Sequence, residues 1–212
     1  MSLKVYEIFY SLQGESSRIG LPTVFVRLTG CPMRCSYCDT AYAFSGGNNM
    51  EIEAILNRVQ SFGTKYVTVT GGEPLAQKES YLLLNSLCDA GFDVSLETGG
   101  AMDIAPVDPR VSVILDIKTP RSLEDKNMLW RNLDVIKAKD EIKFVLCGRD
   151  DYDWAKQKML ELNLVDKCPI LFSPSFSELN PTDLAEWVLA DQLPVRMQMQ
   201  LHKILWGEKP GV

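Results

Sequence analysis

Histidine is almost missing from this chain: among 212 residues there is one, His202. Long apolar runs are missing too, which excludes a membrane-spanning helix. The opening residues Met-Ser-Leu-Lys-Val-Tyr-Glu lack the apolar stretch of a secretory signal. Positive charge is in deficit, with 22 Lys and Arg against 28 Asp and Glu and a formal net charge of −6. A general nucleic-acid surface needs a basic stripe, so that partner class is not expected, nor is a membrane. Cysteine is sparse for a disulfide scaffold, six in the whole chain, and free thiols lead to the expectation of a reducing cytoplasm. No linker, repeat or low-complexity segment breaks the sequence. The expectation is one domain over residues 1–212, long enough to bury a sizeable core.

What is present is an alternation of β-rich runs and helical patterns. Residues 24–28, 66–70, 94–97, 113–117, 141–146 and 170–173 read as strands. Residues 51–62, 79–90, 152–162 and 182–189 carry apolar side chains at helical spacing, with Gly91 as a stop and Pro181 near a start. Residues 195–201 alternate apolar and polar and read as a half-exposed strand. Residues 4–9 and the turn over 11–20 read as an N-terminal extension pairing with the first strand. Residues 106–109 and 118–134 read as loops. Strand–helix alternation predicts parallel β/α units, about six of them. Six are too few for a closed eight-fold barrel, so the expected fold is α/β, a partial (β/α)6 TIM-like barrel with an N-terminal extension. Ligands in such folds bind at the carboxyl ends of strands, which is where the unusual residues of this chain fall.

The most unusual are Cys31, Cys35 and Cys38, spaced C-x3-C-x2-C after the first of these strands. A structural zinc or a closed electron-transfer cluster asks for four protein ligands. His202 is far downstream and Cys88, Cys147 and Cys168 are scattered singly. Three thiolates on one loop suit a [4Fe-4S] cluster whose fourth iron is open; a zinc knuckle is the plainer alternative. The second signal is Gly71-Gly72-Glu73-Pro74 after the next strand, where paired glycines let backbone approach a ligand. By itself that would be an ordinary strand-to-helix turn. Arg18, Arg27 and Arg34 near the cysteines are either a local anion site or solvated arginines.

Together the cysteine loop and the Gly-Gly-Glu-Pro segment resemble the radical S-adenosylmethionine enzymes. The resemblance implies that S-adenosylmethionine binds the open iron, with Cys38 and Asp39 beside it, Tyr37 against the adenine, and Gly72 and Glu73 at the methionyl group. Glu97 would meet ribose hydroxyls, and Asp116, Ile117 and Lys118 would form a further contact at a strand end. More specific are Phe9-Tyr-Ser-Leu-Gln-Gly-Glu15, Cys38-Asp-Thr40, the tail Gln200-Leu-His-Lys-Ile-Leu-Trp206 and the end at Pro210-Gly-Val212. Across the whole chain these resemble the 7-carboxy-7-deazaguanine synthase family.

That resemblance implies conversion of 6-carboxy-5,6,7,8-tetrahydropterin to 7-carboxy-7-deazaguanine with loss of ammonia, on the way to queuosine and other 7-deazapurines. Leu12, Gln13 and Gly14 would hold the pterin, Arg27 its carboxylate, and Thr70 its face. His202 and the carboxylate of Val212 would close over it. Thr40 would place its hydroxyl on Mg2+, which takes hard oxygen ligands and often few from protein. Ser173, Pro174, Ser175 and Phe176 would line the S-adenosylmethionine pocket. A homodimer is implied, with a flavodoxin or ferredoxin as plausible electron donor. No acid or base is assigned; His202 and Glu15 are the only guesses. Two alternatives remain. Leu115-Asp-Ile-Lys-Thr119 resembles the strand-four motif of glycyl-radical activases. A non-catalytic iron–sulfur carrier or zinc module would need a fourth ligand.

Overall fold

In the computed structural model, residues 1–209 and 211–212 are described; Pro210, part of the tail motif, lies outside them. Nine strands form one open sheet among the described residues. They are β1 (Ser2–Leu12), β2 (Pro22–Leu28), β3 (Asn48–Glu51), β4 (Tyr66–Gly71), β5 (Asp93–Thr98), β6 (Ser112–Asp116), β7 (Glu141–Leu146), β8 (Ile170–Pro174) and β9 (Arg196–Met197). Their order is β3-β1-β2-β4-β5-β6-β7-β8-β9. The run from β2 to β9 is parallel, and β1 and β3 add antiparallel at one edge. Because β3 and β9 do not pair, the sheet curls without closing. This is the expected partial barrel, with the expected extension on β1.

The helices are α1 (Ile52–Gln60), α2 (Ser80–Asp89), α3 (Arg149–Glu161), α4 (Pro181–Ala190) and α5 (Leu201–Trp206). Each of α1 to α4 presents apolar side chains to the sheet. In α1, Ile52, Ile55 and Val59 recur at helical spacing and are buried. The central strands read as near-continuous apolar runs because both of their faces are covered, and every residue of β7 is buried.

The crossovers from β5 to β6 and from β6 to β7 are, as expected for 106–109 and 118–134, loops without an α-helix. The second is built from short 3-10 turns at Pro120–Ser122, Asp125–Asn127 and Trp130–Asp134. Gly100 at φ +74°, Pro106, Pro109 and Pro120 interrupt any helical period there. Three readings need correction. Residues 195–201 are not one strand. Only Arg196 and Met197 pair with β8, after which Gln198 turns its side chain to Ser16 and α5 begins at Leu201. The strand β3 was not expected; its sequence Asn-Asn-Met-Glu has little β preference and is held by pairing with residues 2–5. Finally, α3 starts at Arg149, earlier than its apolar period suggests, because its first turn is acidic and buried Asp151 accepts from the Cys147 amide at 3.0 Å and the Arg121 amide at 3.1 Å.

Candidate active site

The carboxyl ends of β2, β4, β5, β6 and β7 open into one cleft of about 470 Å³, which the turn after β1, α5 and the tail line from the other side. Cys31, Cys35 and Cys38 line it, none in a disulfide and all half-buried. Their loop is pinned on several sides. Gly30 accepts from the Glu73 amide at 2.9 Å and donates to Ala43 at 2.9 Å. The Ser36 amide and hydroxyl donate to Ser122 and Arg121 carbonyls at 3.1 and 2.7 Å. Arg34 folds back on the Cys31 and Met33 carbonyls at 2.7 and 2.6 Å and stacks on Phe44. Burial pushes the Cys35 thiol up to about 11.

Among the described residues no three His, Cys, Asp or Glu side chains converge as they would around one metal ion. The Gly-Gly turn packs tightly against Cys31. A Cβ on Gly72 would lie 2.5 Å from both Cys31 Cβ and the Gly30 oxygen, so glycine alone lets that backbone reach the loop.

Glu73 does something different from the expectation. Its side chain is buried and faces away from the cleft. It accepts from Thr98 Oγ1 at 2.9 Å, from the Gly99 amide at 2.9 Å and from the Leu75 amide at 3.1 Å. Burial is the main force on its carboxyl and raises it above the usual range, against those hydrogen bonds. It locks the Gly-Gly-Glu-Pro turn to the end of β5. Glu73→Ala would strand three donors, and a loss of about 3 kcal/mol is expected in a urea titration; a loss under about 1 kcal/mol would sink that role.

The floor of the cleft is a buried charge network. Lys143 on β7 reaches Glu15 at 2.5 Å and Asp116 at 3.4 Å, and Lys118 reaches Asp116 at 3.0 Å. Glu15 also accepts from Gln200 at 2.7 Å. Glu97 accepts from Gln13 at 3.3 Å and from Thr70 at 3.0 Å. Burial acts against every one of these charges. Lys143 and Gln200 nevertheless hold Glu15 low, and Lys118 and Lys143 hold Asp116 low. Burial wins at Glu97, whose carboxyl is raised. Asp116 Oδ1 and Tyr37 Oη are buried in the cleft lining and have no partner within the described protein, which is what a polar ligand would satisfy.

The remaining residues divide clearly. Leu12, Gln13, Gly14, Arg27, Tyr37, Asp39, Thr40, Thr70, Glu97, Asp116, Lys118, Ser175, Phe176, His202 and Val212 all line the cleft. Ile117, Ser173 and Pro174 do not; Ile117 is packed in the core. Arg27 donates Nε to Glu7 at 2.7 Å and lies between the Phe9 and Tyr42 rings. Thr40 donates to Asp39 at 2.8 Å, and Lys203 lies 3.6 Å from the same carboxylate. The His202 ring packs on Gly14, whose oxygen accepts from Leu201 at 2.9 Å. Burial lowers that imidazole, favouring its neutral form. Lys143, Gln200 and Lys203 are part of the cleft that sequence reading did not assign. A lysine between Ile142 and Phe144 inside the strand EIKFVL was the available signal.

An open parallel sheet with three thiols and a Gly-Gly turn at its strand ends defines a radical S-adenosylmethionine protein, and a profile of the Radical SAM superfamily matches residues 25–162. Proteins of that class carry a [4Fe-4S] cluster and use S-adenosylmethionine. Closer similarity is to proteins named 7-carboxy-7-deazaguanine synthase. The one from Chlorobaculum tepidum is 47% identical over 208 residues, spanning 97% of this chain and 94% of its own. The one from Koribacter versatilis is 40% identical over 226 residues, spanning 99% and 100%. The crystal structure of QueE from Escherichia coli matches with a TM-score of 0.78 and 25% identity over 95% of each chain. This chain belongs to the 7-carboxy-7-deazaguanine synthase family. The SuiB structures from Streptococcus suis, at 12% identity and a TM-score of 0.58 for the peptide-bound form, share the fold only. The activase alternative is not favoured.

Proposed function

We propose that the chain converts 6-carboxy-5,6,7,8-tetrahydropterin to 7-carboxy-7-deazaguanine and ammonia. The observation that carries this is the sharing of one cleft by the three cysteines and by Gln13, Gly14, Arg27, Thr70 and His202. Cys31, Cys35 and Cys38 would hold the [4Fe-4S] cluster, and Tyr37, Asp39, Gly72, Asp116, Lys118, Ser175 and Phe176 would hold S-adenosylmethionine. When bound and reduced, these supply a 5′-deoxyadenosyl radical able to abstract hydrogen from the pterin.

The chain's own part is placement and exclusion of water. Arg27 is clamped through Nε by Glu7, which leaves the outer edge of its guanidinium to meet a carboxylate. Phe9 and Phe25 stack at 4.9 Å beside it and give a flat apolar wall. Gln13 is held by Thr68 at 3.1 Å and by Glu97, so its backbone stays in one pose toward the substrate. Neutral His202, lying over Gly14, covers the pterin side. Thr40 would contribute one hydroxyl to Mg2+, with substrate and water supplying the rest. The unsatisfied Asp116 oxygen and Tyr37 hydroxyl are the polar atoms available to S-adenosylmethionine. Glu97 keeps its expected place at the ribose only if it also keeps Thr70 and Gln13, which makes it a bridge between the two ligands.

A homodimer in the cytoplasm, fed electrons by a small flavodoxin or ferredoxin, completes the reading. Exposed Ile204, Leu205 and Trp206 on α5 support a paired surface. The test is anaerobic: cluster reconstitution, then S-adenosylmethionine, Mg2+, reductant and the pterin, with product read by mass spectrometry. Deazapurine and ammonia support the reading. Deoxyadenosine without deazapurine rejects the substrate, and no cleavage by a loaded, reduced chain rejects the enzyme.

A further inference from the structure

Among the described residues, Lys143 is the one cation that reaches carboxylates from both sides of the cleft. Glu15 belongs to the turn after β1, next to Leu12, Gln13 and Gly14. Asp116 ends β6, two residues before Lys118. The register of the sheet sets Asp116 directly across from Lys143 on neighbouring strands. The Ile117 amide also donates to the Lys143 carbonyl at 2.8 Å. Lys143 and Glu15 are separated by 128 residues and are both buried. Burial works against the ammonium, yet Glu15, Asp116 and Glu97 together raise it well above the ordinary lysine value. Glu15 is fixed at its other oxygen by Gln200, from the segment that leads into α5. A buried ion bridge is weak support for stability, since apolar side chains often do as well. One that ties three distant segments together at a cleft has a different use.

We propose that Lys143 is a positioning residue that holds the Glu15 turn, with its pterin contacts, at a fixed distance from the Asp116 strand end, with its S-adenosylmethionine contacts. This rests on the reading of the preceding section. A radical formed on one side must meet the substrate on the other in near-attack geometry, and small misplacements are expensive. The lysine therefore governs whether cleavage of S-adenosylmethionine is coupled to product.

The test compares wild type with Lys143→Arg and with the double variant Lys143→Met/Glu15→Gln, which removes both charges and leaves neither buried alone. Each is reconstituted, and iron content and thermal midpoint are recorded. Affinity for S-adenosylhomocysteine and for the pterin is measured by anaerobic titration calorimetry. Turnover is read as the ratio of deoxyadenosine to deazapurine. The expected double variant is folded and iron-loaded, and its S-adenosylhomocysteine affinity falls less than its pterin affinity, because Lys118 still pairs with Asp116. It binds the pterin on the order of 10-fold more weakly, and its deoxyadenosine-to-deazapurine ratio rises by a similar factor. Lys143→Arg recovers part of both. A double variant with wild-type pterin affinity and an unchanged ratio, whatever its thermal midpoint, overturns the proposal and leaves Lys143 a structural residue. Wild type that fails to bind the pterin overturns the preceding section, and this proposal with it.

Discussion

Cys35→Ala is expected to leave a folded chain with almost no bound iron and turnover reduced by more than ~1,000-fold; even partners that only support a metal ligand are worth ~10–100-fold. The side chain sits on a loop, half-exposed, so its loss removes little packing and should change stability by under about 1 kcal/mol. No substitute thiol is at hand. Cys88 lies in α2, Cys147 follows β7 and Cys168 precedes β8, all buried in the core. His202 packs on Gly14. The measurements are iron and sulfide content, the visible absorbance of the reconstituted chain, and its urea midpoint. Full iron content with retained turnover would sink the assignment of the cluster to this loop.

The second large effect separates the two halves of the cleft. Gly14→Ala is expected to keep the cluster and lower kcat/KM for the pterin by on the order of 100-fold, mostly through KM. The reason is steric. Gly14 is not among the residues with a left-handed φ, so its backbone accepts alanine. Its added Cβ, however, would fall on the Nδ1 edge of the His202 ring. The ring cannot simply slide, because Leu201 is hydrogen-bonded to the Gly14 oxygen and Gln200 to Glu15. Either α5 lifts or the turn after β1 shifts, and both carry cleft residues. Strain of this sort costs about 1–3 kcal/mol, readable as a lowered thermal midpoint. An unchanged KM with intact His202 would show that the turn and helix are not a joint clamp.

Most of the parallel strands were readable because each is a short apolar run ended by Gly, Pro or a charged residue. The cysteine loop and the Gly-Gly turn were readable because their chemistry is local in sequence. The parts that were not share one physical property: their meaning depends on residues far away. Lys143 looks like a lone charge between Ile142 and Phe144 until Glu15 and Asp116 are set against it. Glu73, expected at a ligand, is used up by Thr98 and Gly99 on the next strand. Gln198 and Gln200 look like the polar face of a strand, but their side chains turn to hold Ser16 and Glu15. The six residues of α5 are too few to show a helical period and are held by docking. The crossovers without helices carry no apolar period because the 3-10 turns beside the cysteines bury only scattered side chains.

The joining of residues 13–16 to residues 198–202 also orders events during synthesis. Ser16 waits for Gln198, 182 positions on, and Glu15 waits for Gln200, 185 positions on. On the ribosome the residues of the cover leave the tunnel after the cysteine loop does, so these contacts are the last part of the cleft that can be made during synthesis. The cover arrives after the hardware.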